Sequence, residues 1–284
     1  MPMRLPRWFL LALTAVGSAS IGIHAQKASA PDVLQAAADY LVQYSQKLSV
    51  VTAEEEYTQY ETSSGQMGTP VRLSADVVLV GLGNGGTATF RDVFAIDSKP
   101  VRPRDGRLPA LFRTPSPPSM QQARDWSEES VRRYVNPNLH ILDEPTAALE
   151  FLRKENQERS TFKIESVKTM SGAQVAILRF TEQRTPRLMP MPGDAAATGR
   201  FWVDVASGTV RQTELGFSSK TFNTRSTVKY AAEPTLGLWL PTEMSQVFDA
   251  SGQGAGGSNN MGSGGGYNAH QAFEARASYD HFRR

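Results

Sequence analysis

Gly199 to Asp249 reads GRFWVDVASGTVRQTELGFSSKTFNTRSTVKYAAEPTLGLWLPTEMSQVFD. Apolar and polar residues alternate along it and no helical period intervenes, so it predicts four consecutive strands joined by short turns. Phe201, Val203 and Val205 share one face, Arg200 and Asp204 the other, and Ala206-Ser207-Gly208 supplies the turn that reverses the chain. Such a meander dictates shape and carries no catalytic signature.

The pattern extends outward on both sides. Leu34, Ala37, Leu41, Tyr44 and Leu48 recur at three- and four-residue spacings, with Gln35, Asp39, Gln43 and Gln46 opposite, which predicts an amphipathic helix. Its stripe is narrow and alanine-rich, so it must pack on something larger. Strands are expected over 49–61, 71–80 and 87–96, with Phe90, Phe94 and Ile96 aligned on the last. Val101 to Thr114 is basic and irregular, Ser116-Pro117-Pro118 opens a second helix, and a shorter one falls near Thr146 to Arg153. Strands resume at 161–167 and 174–182, and a final strand spans 273–282. Ser251 to Asn268 is rich in Gly, Ser and Asn and predicts a disordered hairpin connection. The order is helix, three strands, two helices and about seven strands. That is an α+β fold: one large curved antiparallel sheet, an unclosed half-barrel of about ten strands, with helices covered on its concave face.

The first thirty residues read as a signal peptide. Arg4 and Arg7 form a basic start, and Trp8 to Ile23 is apolar, broken by Gly17, Ser18, Ser20 and Gly22, and shorter than the roughly 20 residues a spanning helix needs. Cleavage is possible after Ala25 or after Ala30, where Ala28-Ser29-Ala30 fits the small-x-small rule better. Residues 1–30 are therefore assigned to the signal and 31–284 to a single domain. There is no cysteine, hence no disulfide and no lipid-accepting thiol, and the expected product is a soluble periplasmic or secreted monomer, with peripheral membrane contact left open. Removing Arg4 and Arg7 takes the formal charge from +2 to zero, which argues against a nucleic-acid partner.

Motifs that look chemical have plainer readings. Gly81-Leu82-Gly83-Asn84-Gly85-Gly86 matches GxGxxG, but Thr87 to Arg91 alternates as a strand where a phosphate-binding helix is needed, so Asn84-Gly85 reads as a hairpin turn. Ser160 and Lys163 match SxxK, but on a strand they point to opposite faces. His140, His270 and His281 have no metal-ligand spacing, and Glu54-Glu55-Glu56 reads as a solvated strand start. No cofactor is expected. Asp92 shares its face with Phe90 and Phe94, which calls for an internal ion pair, with Arg179 as the candidate partner. Pro186-Arg187-Leu188-Met189-Pro190-Met191-Pro192 displays adaptable side chains on a stiff backbone, suited either to an apolar ligand or to folding back onto the core.

The elements Phe201-Trp202-Val203-Asp204 with Gly208, Gly237-Leu238-Trp239-Leu240-Pro241-Thr242-Glu243-Met244 and Ala277-Ser278-Tyr279-Asp280-His281-Phe282 resemble the LolA-like group of outer-membrane lipoprotein-sorting proteins and their secreted bacterial relatives. The resemblance covers roughly Asp32 to Arg284. It implies an unclosed barrel whose concave apolar face is covered by helices and holds acyl chains, and a lid-binding arginine for which the sequence offers no assignable counterpart. The long inserts 101–114 and 251–268 depart from a minimal carrier.

The functional expectation is a non-enzymatic binder of an apolar ligand, a lipid or lipoprotein acyl chain. Burial of each CH₂ on the concave face would contribute about 0.8 kcal/mol, with the helices as a lid that moves. Leu41, Phe90, Phe94, Trp126, Met189 and Trp202 are the candidate ligand contacts, Trp202 with the reservation that it alternates with Phe201. The alternative is an envelope interaction domain whose cavity is filled by its own side chains.

Overall fold

In a computed structural model, residues 28–63, 66–139, 142–250 and 271–284 are described. The segment expected to be a signal peptide, apart from its last three residues, and the expected connection 251–268 lie outside them.

Helix α1 (Ala30–Leu48) begins where Ser29 accepts a hydrogen bond from the Asp32 amide, with Pro31 in the first turn and Asp32 on the favourable end of the helix dipole. Its buried stripe is Val33, Ala37, Leu41, Tyr44 and Leu48, so Val33 replaces the expected Leu34, which flanks the stripe. The strands are β1 (Val50–Ser63), β2 (Gln66–Met67), β3 (Val71–Gly81), β4 (Thr87–Ile96), β5 (Lys99–Pro100), β6 (Ser160–Met170), β7 (Ala173–Glu182), β8 (Ala197–Asp204), β9 (Val210–Ser218), β10 (Asn223–Glu233), β11 (Leu238–Ala250) and β12 (Gln271–Arg283). They form one antiparallel sheet in the order β5-β4-β3-β1-β12-β11-β10-β9-β8-β7-β6, with β2 hairpinned onto β1. The short β2 and β5 account for the excess over ten. The sheet does not close.

β12 joins the two halves. It pairs with β1 on one side, Tyr57 opposite Ala277, and with β11 on the other, Phe248 opposite Phe273. The last strand of the chain therefore stitches the N-terminal strands to the meander.

The inward-pointing residues of the strands, among them Val51, Leu73, Phe201, Leu215, Val228 and Met244, form one core with α1 and with a 3₁₀ helix at Ala147–Leu152. Phe151, Phe180 and Phe201 make a ring stack through it, each neighbouring pair 4.9 Å apart. Two glycines let α1 sit directly on backbone. A Cβ at Gly81 would lie 1.8 Å from the Ser45 carbonyl oxygen, and one at Gly208, in the turn after β8, 2.0 Å from that of Ala36. The glycine-rich stretch 81–86 is thus a hairpin turn as expected, and its further task is to receive the helix: the Gly85 amide donates to Ser45 Oγ at 2.8 Å.

A second core lies on the opposite, outer face. The segment expected to be irregular contains helix α2 (Arg107–Leu111), whose Leu108, followed by Phe112, packs on Val78, Val80 and Phe90. Helix α3 (Pro117–Tyr134), opened by a Ser116–Ser119 capping box, runs along the free edge of β4. Ser127 Oγ accepts from the Arg91 amide at 3.0 Å and Ser130 Oγ from the Val93 amide at 3.2 Å. These serines satisfy donors that an edge strand would otherwise offer to another chain. A four-residue helix, α4 (Lys154–Gln157), leads into β6.

Candidate functional site

On the largely apolar concave face, several inward-pointing polar side chains reach the covering residues 135–139 and 142–152. The Gln246 amide of β11 donates to the Leu139 carbonyl at 3.0 Å while accepting from Tyr57 Oη at 2.9 Å. Tyr230 Oη of β10 donates to the Pro145 carbonyl at 2.7 Å, and Gln59 of β1 accepts from the Asn136 amide and donates to the Tyr134 carbonyl. The strongest tie comes from β4. Arg91 forks onto both carboxylate oxygens of Glu55 on β1, Nη2 to Oε1 at 2.9 Å, and reaches Asp143 of the cover with Nη1 to Oδ2 at 2.9 Å and Nη2 to the carbonyl at 3.1 Å.

This triad is buried, with side-chain exposures of 0% for Glu55, 5% for Arg91 and 10% for Asp143. Burial alone would lower the Arg91 pKa, but the Glu55 and Asp143 charges outweigh it and hold the guanidinium well above its ordinary value. Arg91 is therefore a permanent cation between two anions, with its face against Tyr57, 5.3 Å from the ring centroid. Beside it opens a cleft of about 290 Å³ lined by Arg124, Ser127, Glu128 and Glu144 among others. Glu144 is exposed at the cleft's mouth yet crowded by surrounding protein. That crowding, with the neighbouring Asp143 charge, pushes its carboxyl up to about 7. Beneath the cover, between Ala147, Leu215, Ser226 and Val228, the cavity is only about 10 Å³, the space of roughly one water.

The expected ligand contacts do not come together. Leu41 is fully buried in the main core and Met189 packs at that core's margin. Phe90 and Trp126 belong to the outer-face cluster, and Phe94 lies under Arg104, 4.4 Å from ring centroid to guanidinium carbon. Trp202 alternates with the buried Phe201 and is half-buried on the outer face. Strand alternation puts Leu41's neighbours and Phe90 on opposite sides of one sheet, a distinction that an apolar residue type does not reveal.

Two electrostatic expectations need correction. Asp92 is paired, but by Arg102 and Arg107, with Arg107 Nε to Oδ2 at 2.8 Å. Arg179 is on β7 near the far end of the sheet and pairs with Glu165. The basic 101–114 stretch is the strap that neutralises Asp92, and through Arg104 also Asp76. Glu55 is not solvated: it points inward between Glu54 and Glu56 and anchors the triad. Its signal was only its parity with Ala53 and Tyr57. Leu188, Met189 and Met191 of the proline-rich loop fold back onto the core, the Leu188 amide held by Glu182.

Among the described residues no group of three or more His, Cys, Asp and Glu side chains is placed to hold a metal ion, and no helix is long and apolar enough to cross a membrane.

No protein-family model matches the chain, and no curated protein matches it. Solved structures to which it is similar include a putative outer-membrane lipoprotein-sorting protein domain from Vibrio parahaemolyticus, at 11% identity and a TM-score of 0.42, covering 88% of this chain and 91% of that one. A DUF1329 family protein from Desulfovibrio piger is also 11% identical, with a TM-score of 0.37 and coverage of 89% and 93%. A LolA superfamily protein from Nitrosomonas europaea is 10% identical, with a TM-score of 0.31 and coverage of 88% and 92%. The fold itself, read from the strand order, is an unclosed antiparallel sheet accompanied by a few helices.

Proposed function

We propose that this protein is a non-enzymatic, exported binding protein that holds a lipid or acyl chain on the concave face of its half-barrel once the covering segment moves aside. The observation that carries the reading is the clasp: one buried arginine on the sheet, Arg91, grips Asp143 of a separable cover. An arginine joining sheet to lid is what the LolA-like resemblance implies, and Arg91 fits that place by geometry. The apolar side chains now packed on the sheet, Leu142, Ala148, Leu149 and Leu152, would give way to ligand CH₂ groups of similar polarity.

A second reading has its own observation. The cavity beneath the cover is about 10 Å³, which suits a filled-core interaction domain of the envelope that takes no ligand. One experiment separates the two: native mass spectrometry and lipid extraction on protein purified from its own envelope fraction without detergent, with titration by a fluorescent fatty acid. A stoichiometric lipid supports the carrier. A bare polypeptide mass with no uptake of the fatty acid leaves the filled-core domain.

A further inference from the structure

The outer face of the meander carries a feature that neither reading uses. Strand register sets Lys163 of β6 opposite Arg179 of β7, and Arg179 opposite Arg200 of β8, so three cations stand in one cross-strand row. Like charges directly opposite each other destabilise a sheet, and only at the β9 end of the row does a carboxylate, Glu214, stand opposite, facing Arg200. Next to this row Thr198, Gly216 and Arg225 form another, and Gly216 offers no side chain to the outer face. The result is a polar groove of about 350 Å³ whose lining includes Arg179, Thr198, Arg200, Asn223 and Arg225.

Glu214 lines the groove and Glu165 joins it through Arg200, to which both are chiefly committed: Glu165 Oε2 accepts from Nε at 2.7 Å and Glu214 Oε1 from Nη1 at 2.9 Å. Their ion pairs with the other two arginines are longer. Arg179 stands 3.8 Å from Glu165 and Arg225 4.0 Å from Glu214, with side chains 63% and 57% exposed. Of the charged residues that line the groove, Arg179, Arg200 and Arg225 against Glu214 leave two positive charges in excess. Guanidinium forks on either side of such a groove match the oxygens of a phosphoryl group.

We propose that this groove is an oxyanion site of the phosphate class, with Arg179 and Arg225 as its jaws and Arg200, fixed by Glu165 and Glu214, setting the space between them. The phosphoryl group could belong to a free phosphate or to a lipid headgroup, and the test distinguishes the two. The full chain is titrated calorimetrically with inorganic phosphate at low ionic strength, and separately sedimented with phosphatidylglycerol or phosphatidylcholine vesicles. Saturable phosphate binding that weakens about tenfold or more in R179Q/R225Q, and is unchanged in R133Q, an equally exposed arginine elsewhere, supports the site with a free oxyanion. Co-sedimentation with phosphatidylglycerol alone, lost in the same double variant and kept in R133Q, supports it with a headgroup. E165Q, which removes a competing carboxylate, should tighten whichever is seen. Absence of both interactions, or equal losses in R133Q and R179Q/R225Q, overturns the proposal.

Discussion

Replacing Arg91 and replacing Asp143 should have different consequences, although both break the same ion pair. Arg91→Met strands two carboxylates, Glu55 with 0% and Asp143 with 10% side-chain exposure. Uncompensated charges at that depth cost about 3–5 kcal/mol, a large part of the 5–15 kcal/mol that typically holds a domain folded. Asp143→Asn leaves the Glu55–Arg91 fork intact, and Arg91 still reaches the residue-143 carbonyl. It removes one charge-assisted contact, about 1.5–3 kcal/mol, and the loss falls on the attachment of the cover rather than on the sheet. Urea unfolding followed by circular dichroism measures the first effect, and hydrogen exchange of the 147–152 amides the second. A weakening of about 2 kcal/mol in cover attachment raises local exchange about thirtyfold. The clasp is refuted if D143N leaves those amides as protected as before, or if it destabilises the whole chain as much as R91M does.

Glu144 gives a pH test. Its folded carboxyl is raised to about 7 from an ordinary 4.5, so the folded state holds its proton more tightly than the unfolded one. Stability is then full below about 4.5, declines as pH rises towards 7, and stays at the lower value above it. Urea midpoints between pH 5 and 8 should fall in the native chain and stay flatter, and higher at pH 8, in E144Q. Gly208→Ala would drive a methyl into the Ala36 carbonyl at a position with φ of 71°, and should cost about 1–3 kcal/mol or more by unseating α1; an unchanged melting temperature would contradict the close approach. Ser130→Ala leaves the buried Val93 amide without its acceptor, an expected loss of about 1–3 kcal/mol in denaturant titration. Finally, Ser29 caps α1, so a signal cut after Ala30 would discard the cap and one after Ala25 would keep it. A chain starting at Gln26 should therefore be more stable to urea than one starting at Pro31, by about 1 kcal/mol of capping, and equal midpoints for the two would refute that argument.

The parts of this molecule legible in the sequence are those governed by local period and turn chemistry. Alternation at Phe201, Val203 and Val205, the Ala206-Ser207-Gly208 turn and the stripe through Leu41 and Leu48 each follow from geometry within a few residues, and the half-barrel with its helices follows from their order. The α2 turn was not legible, because Leu108 and Phe112 lack the length for a periodic signal and gain their place only by packing on Phe90. What tertiary structure alone decided is which face each side chain meets and who its partner is. Parity within β4 assigns Phe90, Asp92 and Phe94 to one side and Arg91 to the other, but only the sheet order brings Arg91 beside Glu55 and under Asp143, and brings Asp92 to Arg102 and Arg107 rather than Arg179. Charge pairing and cavity filling depend on distance in space between residues far apart in the chain, and a one-dimensional pattern carries no record of that distance.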